Sequence, residues 1–188
     1  KMIFIFLILV VLATCQQTKP KIPGTYQTNL SILTEYANNH RATLVKGTYA
    51  QNIKTNQQYS SLLSNITGSS LEVLFYDFKK ELAFQLFGPN HKPPCIEQAD
   101  KGAVTNVFES GLQLATYGGS TTYKNQTVDI WKAVLTNKAN FQLGVNSVYP
   151  EIPVVLVYSV SGSFTATYEF SNWQKNVDPN LLKLPKWC

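Results

Sequence analysis

Between Ser163 and Phe170 the side chains alternate without a break. Phe164, Ala166, Tyr168 and Phe170 share one parity, and Ser163, Thr165, Thr167 and Glu169 share the other. Successive residues of a strand point to opposite faces, so this segment reads as a strand with one aromatic face and one polar face. A sheet with one oily face must cover it with a second sheet, a helix or a ligand.

The same period recurs along the chain, with Gly, Asn and Ser as punctuation. Thr43–Ile53 reads as a long strand. Leu71–Phe78 and Leu82–Phe87 flank Lys79-Lys80-Glu81 and form an expected hairpin, which Gly88-Pro89 ends because proline cannot donate to a ladder. Val128–Leu135 and Phe141–Val145 flank Thr136-Asn137-Lys138, and Val154–Val160 and Ser163–Phe170 flank Ser161-Gly162, giving two more hairpins. Two segments also fit helical spacing. Asn29–His40 places Leu30, Leu33 and Tyr36 or Ala37 on one helical face, and Ile96–Leu114 has room for a short helix before Gly111. The expected class is mainly β, with one or two short helices.

Lys1–Cys15 has a basic start, an apolar stretch and small residues at its end, the pattern of a secretory signal peptide. The stretch is shorter than the roughly 20 apolar residues that span a bilayer. Leu12-Ala13-Thr14-Cys15 also fits, loosely, a bacterial lipoprotein signal ending on Cys15. Residues 16–188 are expected to form a single domain of about 170 residues. Charged residues make up only 14% of the chain, against roughly 25% in an average globular protein, so the surface must rely on Ser, Thr, Asn and Gln.

If Cys15 is removed, Cys95 and Cys188 remain, and an even count in an exported chain suggests one disulfide. Sequons stand at Asn29, Asn65 and Asn125, where glycans are expected if the chain passes through a eukaryotic secretory route. The lysines, as in Lys79-Lys80 or Lys183 and Lys186, do not interleave with aromatics, which argues against nucleic acid as a partner.

Catalytic motifs are missing from the sequence. The two histidines, His40 and His91, read as loop residues with no chemical task, and no Gly-x-Ser-x-Gly elbow occurs. Nothing selects a carboxylate pair, and no metal-ligand spacing is present. The expectation is a protein that is not an enzyme.

From residue 70 onward the order of motifs resembles ependymin-related proteins. Leu71–Glu81 is similar to that family's strand and basic turn with a Tyr-Asp pair (Tyr76-Asp77). Cys95 stands where the family's mid-chain cysteine does. Ala115-Thr116-Tyr117-Gly118-Gly119 leads into the tryptophan strand Val128-Asp129-Ile130-Trp131, Pro153-Val154 opens the next strand, and Asp178–Cys188 resembles the family's Asp-Pro, hydrophobic, Pro, terminal Cys ending. The chain departs from the family at Tyr149-Pro150-Glu151-Ile152, where a further cysteine often stands. The resemblance implies a curved antiparallel sheet folded on itself around a hydrophobic pocket, an architecture similar to that of bacterial periplasmic lipoprotein carriers. It implies secretion, a homodimer, calcium-dependent behaviour and a lipid or other hydrophobic small molecule as ligand, or alternatively an adhesive matrix role. Alternation then gives Phe75, Phe84, Leu86, Trp131, Phe141, Phe164, Tyr168 and Phe170 as the expected pocket lining. A slip of one residue in register would reverse each facing.

Overall fold

A computed structural model describes residues 17–37, 42–65, 70–136 and 138–188. The expected signal segment and His40 lie outside the described residues. The described chain is mainly β, with eleven antiparallel strands in one curved sheet and one short helix.

The first described strand lies in the middle of that sheet. Strand β1 (Thr25–Tyr36) pairs with β2 (Ala42–Asn52), and the chain meanders outward through β3 (Gln57–Ser64), β4 (Ser70–Asp77), β5 (Leu82–Leu86) and β6 (Cys95–Ala99) to one edge. Residues 100–115, including helix α1 (Glu109–Leu114), carry it to the opposite edge. From there β7 (Thr116–Tyr123), β8 (Gln126–Val134), β9 (Asn140–Asn146), β10 (Pro153–Val160) and β11 (Phe164–Gln174) meander back inward, and β11 pairs with the free side of β1. Most pairings are hairpins between neighbours in sequence. The β1–β11 pairing alone joins the two meanders within the sheet.

Thr25–Tyr36 is a strand, not the helix that the spacing of Leu30, Leu33 and Tyr36 allows. Its buried residues are Tyr26, Thr28 and Leu30, which follow period two. Both of its edges are paired, so its backbone groups are satisfied in the sheet. The expected helix before Gly111 is α1, which contains that glycine, whereas Cys95–Ala99 is strand β6.

Phe164–Phe170 keeps its alternation. In the β1–β11 register Leu30 faces Phe170, Ile32 faces Tyr168 and Thr34 faces Ala166. Leu156 and Tyr158 of β10 then stand opposite Tyr168 and Ala166. The principal core lies on this face and gathers Tyr26, Phe108, Leu112, Trp131, Phe141, Leu143 and Leu156. The opposite face has its own smaller core, Phe75, Phe84 and Leu86, which the C-terminal tail covers with Leu184 and Cys188. Cys188 is bonded to Cys95 across 93 residues of sequence, with their Cα atoms 5.5 Å apart.

Candidate functional site

The inner face of the sheet is not filled throughout. Between it and the crossing segment 100–115 lies a partly open cavity of about 590 Å³. Its walls are sheet residues from both meanders, among them Leu30, Ile32, Leu62, Leu74, Leu156 and Tyr168, and its cover is Thr105, Val107 and Ser110 of the crossing segment. Cross-strand partners share a face, and the pairings carry the inner face from Leu30 to Gly47 to Leu62 on one side and from Leu30 to Phe170 on the other.

Two glycines allow this arrangement. At Gly47 a Cβ would stand 1.8 Å from the Ser61 backbone oxygen, so β2 and β3 approach more closely than any larger residue permits. At Gly111 a Cβ would stand 2.4 Å from the ring of Phe141, so α1 rests directly on that ring.

One end of the cavity is an aromatic cluster. Tyr26 stacks on Trp173 with ring centroids 4.1 Å apart. Phe108 meets Phe170 edge-on at 5.5 Å, and Phe170 meets Trp173 edge-on at 6.1 Å. Such geometries are favourable beyond their buried area. Polar ties join β2, the residues before β1, the β2–β3 turn and the crossing segment. Tyr49 Oη donates to Gln51 Oε1 at 2.7 Å, and the fully buried Gln51 donates from Nε2 to Gly24 O at 2.9 Å. Val104 N donates to Asn56 Oδ1 at 2.8 Å, and Asn106 Nδ2 donates to Ile22 O at 2.9 Å. Burial pushes the phenols of Tyr26 and Tyr49 above their ordinary range, so both remain neutral hydrogen-bonding groups.

The expected lining residues separate into three groups. Phe141, Tyr168 and Phe170 are on the cavity wall. Trp131 and Phe164 are on the same face but outside it. Trp131 is buried in the core opposite Leu143 and Tyr117, and Phe164 lies against Tyr158 at 6.0 Å near the start of β11. Phe75, Phe84 and Leu86 are on the other face, beneath the C-terminal tail, and do not line this cavity. The register explains the reversal. Leu74 stands opposite Ser60 and Tyr76 opposite Gln58, so the even residues of β4 face inward. Leu71–Phe78 is apolar on both parities, and alternation could not choose between them. Leu30 and Ile32 were hidden by the helical spacing of Asn29–His40, and Tyr26 stood outside every expected element, although Thr25–Ile32 alternates legibly.

A second depression, of about 630 Å³, lies on the outer face and is lined by charged and polar side chains, including Lys46, Lys124, Glu169 and Asn29. Its carboxylate is already engaged. Lys124 Nζ lies 2.7 Å from Glu169, and Tyr123 Oη donates to it. These partners, Lys124 first, hold Glu169 below the usual carboxylate range, while burial and the same contact push Tyr123 up to about 12. The inner cavity is the candidate site because its walls are mostly apolar.

Of the sequons, Asn29 is exposed within β1, Asn65 follows β3 and accepts from Leu44 N at 2.8 Å, and Asn125 is exposed in the β7–β8 turn. His91 is exposed, stacks on Phe87 at 4.9 Å and bonds through Nδ1 to Pro93 O at 3.0 Å. Asp129 is buried and accepts from Gln17, Ser120 and Tyr117, which fastens the leading segment to β7 and β8. Among the described residues no group of three or more His, Cys, Asp or Glu stands within reach of one metal ion. Among the same residues no helix is long and apolar enough to cross a membrane.

No family model matches this chain, and no curated protein sequence matches it. The resemblance to ependymin-related proteins therefore rests on residue order alone. Among solved structures, an uncharacterized conserved protein from Thermus thermophilus is similar at a TM-score of 0.53 and 8% identity, over 86% of this chain and 85% of that one. A LolA-superfamily protein from Nitrosomonas europaea is similar more loosely, at a TM-score of 0.41 and 10% identity over 85% and 90% of the two chains. The MucA/MucB complex of Pseudomonas aeruginosa gives 0.44 and 11% over 87% and 56%. The likeness to the Thermus protein, over most of both chains, shows a shared fold.

Proposed function

We propose that this protein is a non-enzymatic carrier that holds a hydrophobic, lipid-like molecule on the inner face of its sheet. One observation carries the reading: an apolar cavity of about 590 Å³ between the sheet and its crossing segment. Ligand sites typically run from roughly 300 to 1,000 Å³, with mostly apolar walls and a few placed polar groups. The Cys95–Cys188 bond favours an oxidising location outside the cytosol. The resemblance to ependymin-related proteins points the same way and adds a homodimer, which light scattering would detect.

The test is direct. Protein purified from its native source is extracted with organic solvent and the extract examined by mass spectrometry. The delipidated protein is then titrated with a hydrophobic fluorescent dye. Ser60 is buried on the cavity wall, so Ser60→Phe fills the space and is expected to abolish dye binding while the melting curve stays cooperative. An empty extract together with no dye uptake by the unmutated protein ends the carrier reading.

A second reading, an adhesive matrix glycoprotein with calcium-dependent behaviour, draws on the exposed Asn29 and Asn125. It predicts glycan mass at these residues and activity that follows calcium instead of lipid.

A further inference from the structure

The polar groups of the inner cavity are all of one kind. Among the described residues no lining side chain carries a formal charge. The cavity's polar atoms, among them those of Gln58, Ser60, Ser110 and the phenols of Tyr76 and Tyr168, belong to hydroxyl, phenol and amide groups. Burial raises the phenols of Tyr76 and Tyr168 above their ordinary range, so they stay protonated at neutral pH. The charges that act on Tyr76 are Asp100 and Glu72, and both are acidic.

A carboxylate or phosphate placed here would give up its water and find no cation among the described lining residues. It would also meet a field of its own sign at Tyr76. A hydroxyl, ester or ketone gives up far less water, and the phenols, hydroxyls and amide supply both donors and acceptors for it.

We propose that the cavity selects uncharged lipids, with a hydroxyl, ester or carbonyl as their polar end, over the matching ionised fatty acids. This rests on the cavity being a ligand site, and the test separates the two claims. Delipidated protein is loaded with Nile red, an uncharged dye, and the dye is displaced at neutral pH by dodecanol, methyl dodecanoate, dodecanoate or dodecylamine. Each result is corrected for the ligand's partition into neutral detergent micelles. The alcohol and the ester are expected to displace the dye at least about tenfold more strongly than the acid or the amine, a gap of about 1.4 kcal/mol. Gln58→Lys puts an ammonium on the wall and is expected to strengthen dodecanoate relative to dodecanol by about tenfold. Equal or tighter binding of dodecanoate by the unmutated protein overturns the selectivity and leaves the carrier reading standing. Tighter binding of dodecylamine also overturns it, and shows that Asp100 and Glu72 recruit a cation. Failure of the dye to bind at all, together with an empty solvent extract, removes the carrier reading, and this inference with it.

Discussion

Removing the disulfide with Cys95→Ser/Cys188→Ser should cost much of the protein's stability and none of its ligand affinity. The bond closes a loop across 93 residues. The chain-entropy relation gives about 4.7 kcal/mol for a loop of about that length, through the greater freedom of the unfolded chain. The tail that Cys188 anchors also covers Phe75, which is 3% exposed, together with Phe84 and Leu86. Once untethered, that cover must hold by packing alone. A loss near 5 kcal/mol is a third or more of a typical total of about 5–15 kcal/mol. At about 2–4 °C per kcal/mol for a chain of this size, the melting temperature should fall by roughly 10–20 °C. Urea unfolding of both proteins, followed by circular dichroism and tryptophan fluorescence, measures the difference. The tail lies on the face opposite the cavity, so dye affinity in the absence of urea should be unchanged. A stability loss under about 1 kcal/mol would refute the loop-entropy reasoning. A weakened dye affinity in the still-folded variant would show that the tail shapes the cavity, contrary to its placement on the outer face.

Four further outcomes follow from local geometry and titration. Gly111→Ala brings a methyl group into the Phe141 ring, which must shift, so a loss of about 1–3 kcal/mol and a weaker dye affinity are expected from denaturant and binding titrations. Gly47→Ala meets backbone instead of a movable side chain, and its loss should exceed about 3 kcal/mol, read as poor soluble yield or a sharply lower melting point. Glu169 has a folded pKa below its ordinary value of 4.5, so its contribution is present above about that pH and is lost as pH falls through the lower folded value. Glu169→Gln should flatten that part of the acid limb of stability against pH, and an unaltered limb would remove Glu169 from the account. The Tyr123 phenol, raised to about 12, acts in the opposite sense, and stability should decline as pH climbs from about 10 towards that value.

How much the sequence disclosed depended on how differently the two sides of each strand are covered. β11 meets an apolar interior on one side and a polar surface on the other, so Phe164–Phe170 revealed its inner face by alternation alone. The β class and the hairpins around Lys79–Glu81, Thr136–Lys138 and Ser161-Gly162 were legible for the same reason, helped by turn residues. The cysteine count likewise anticipated the joining of Cys95 to Cys188. β4 is apolar on both parities because both of its faces are covered, one by the cavity side and one by the C-terminal tail. No local pattern could therefore say which parity faces the cavity, and Phe75, Phe84 and Leu86 lie on the face away from it. β1 is central only because β11 returns to pair with it from the far end of the chain, a contact between residues more than a hundred positions apart. The cavity depends on residues 100–115 crossing that face, with Gly111 against Phe141. Period and composition describe what each strand can bury, but which surfaces meet is decided by long-range pairing and packing, and that is fixed only in the assembled sheet.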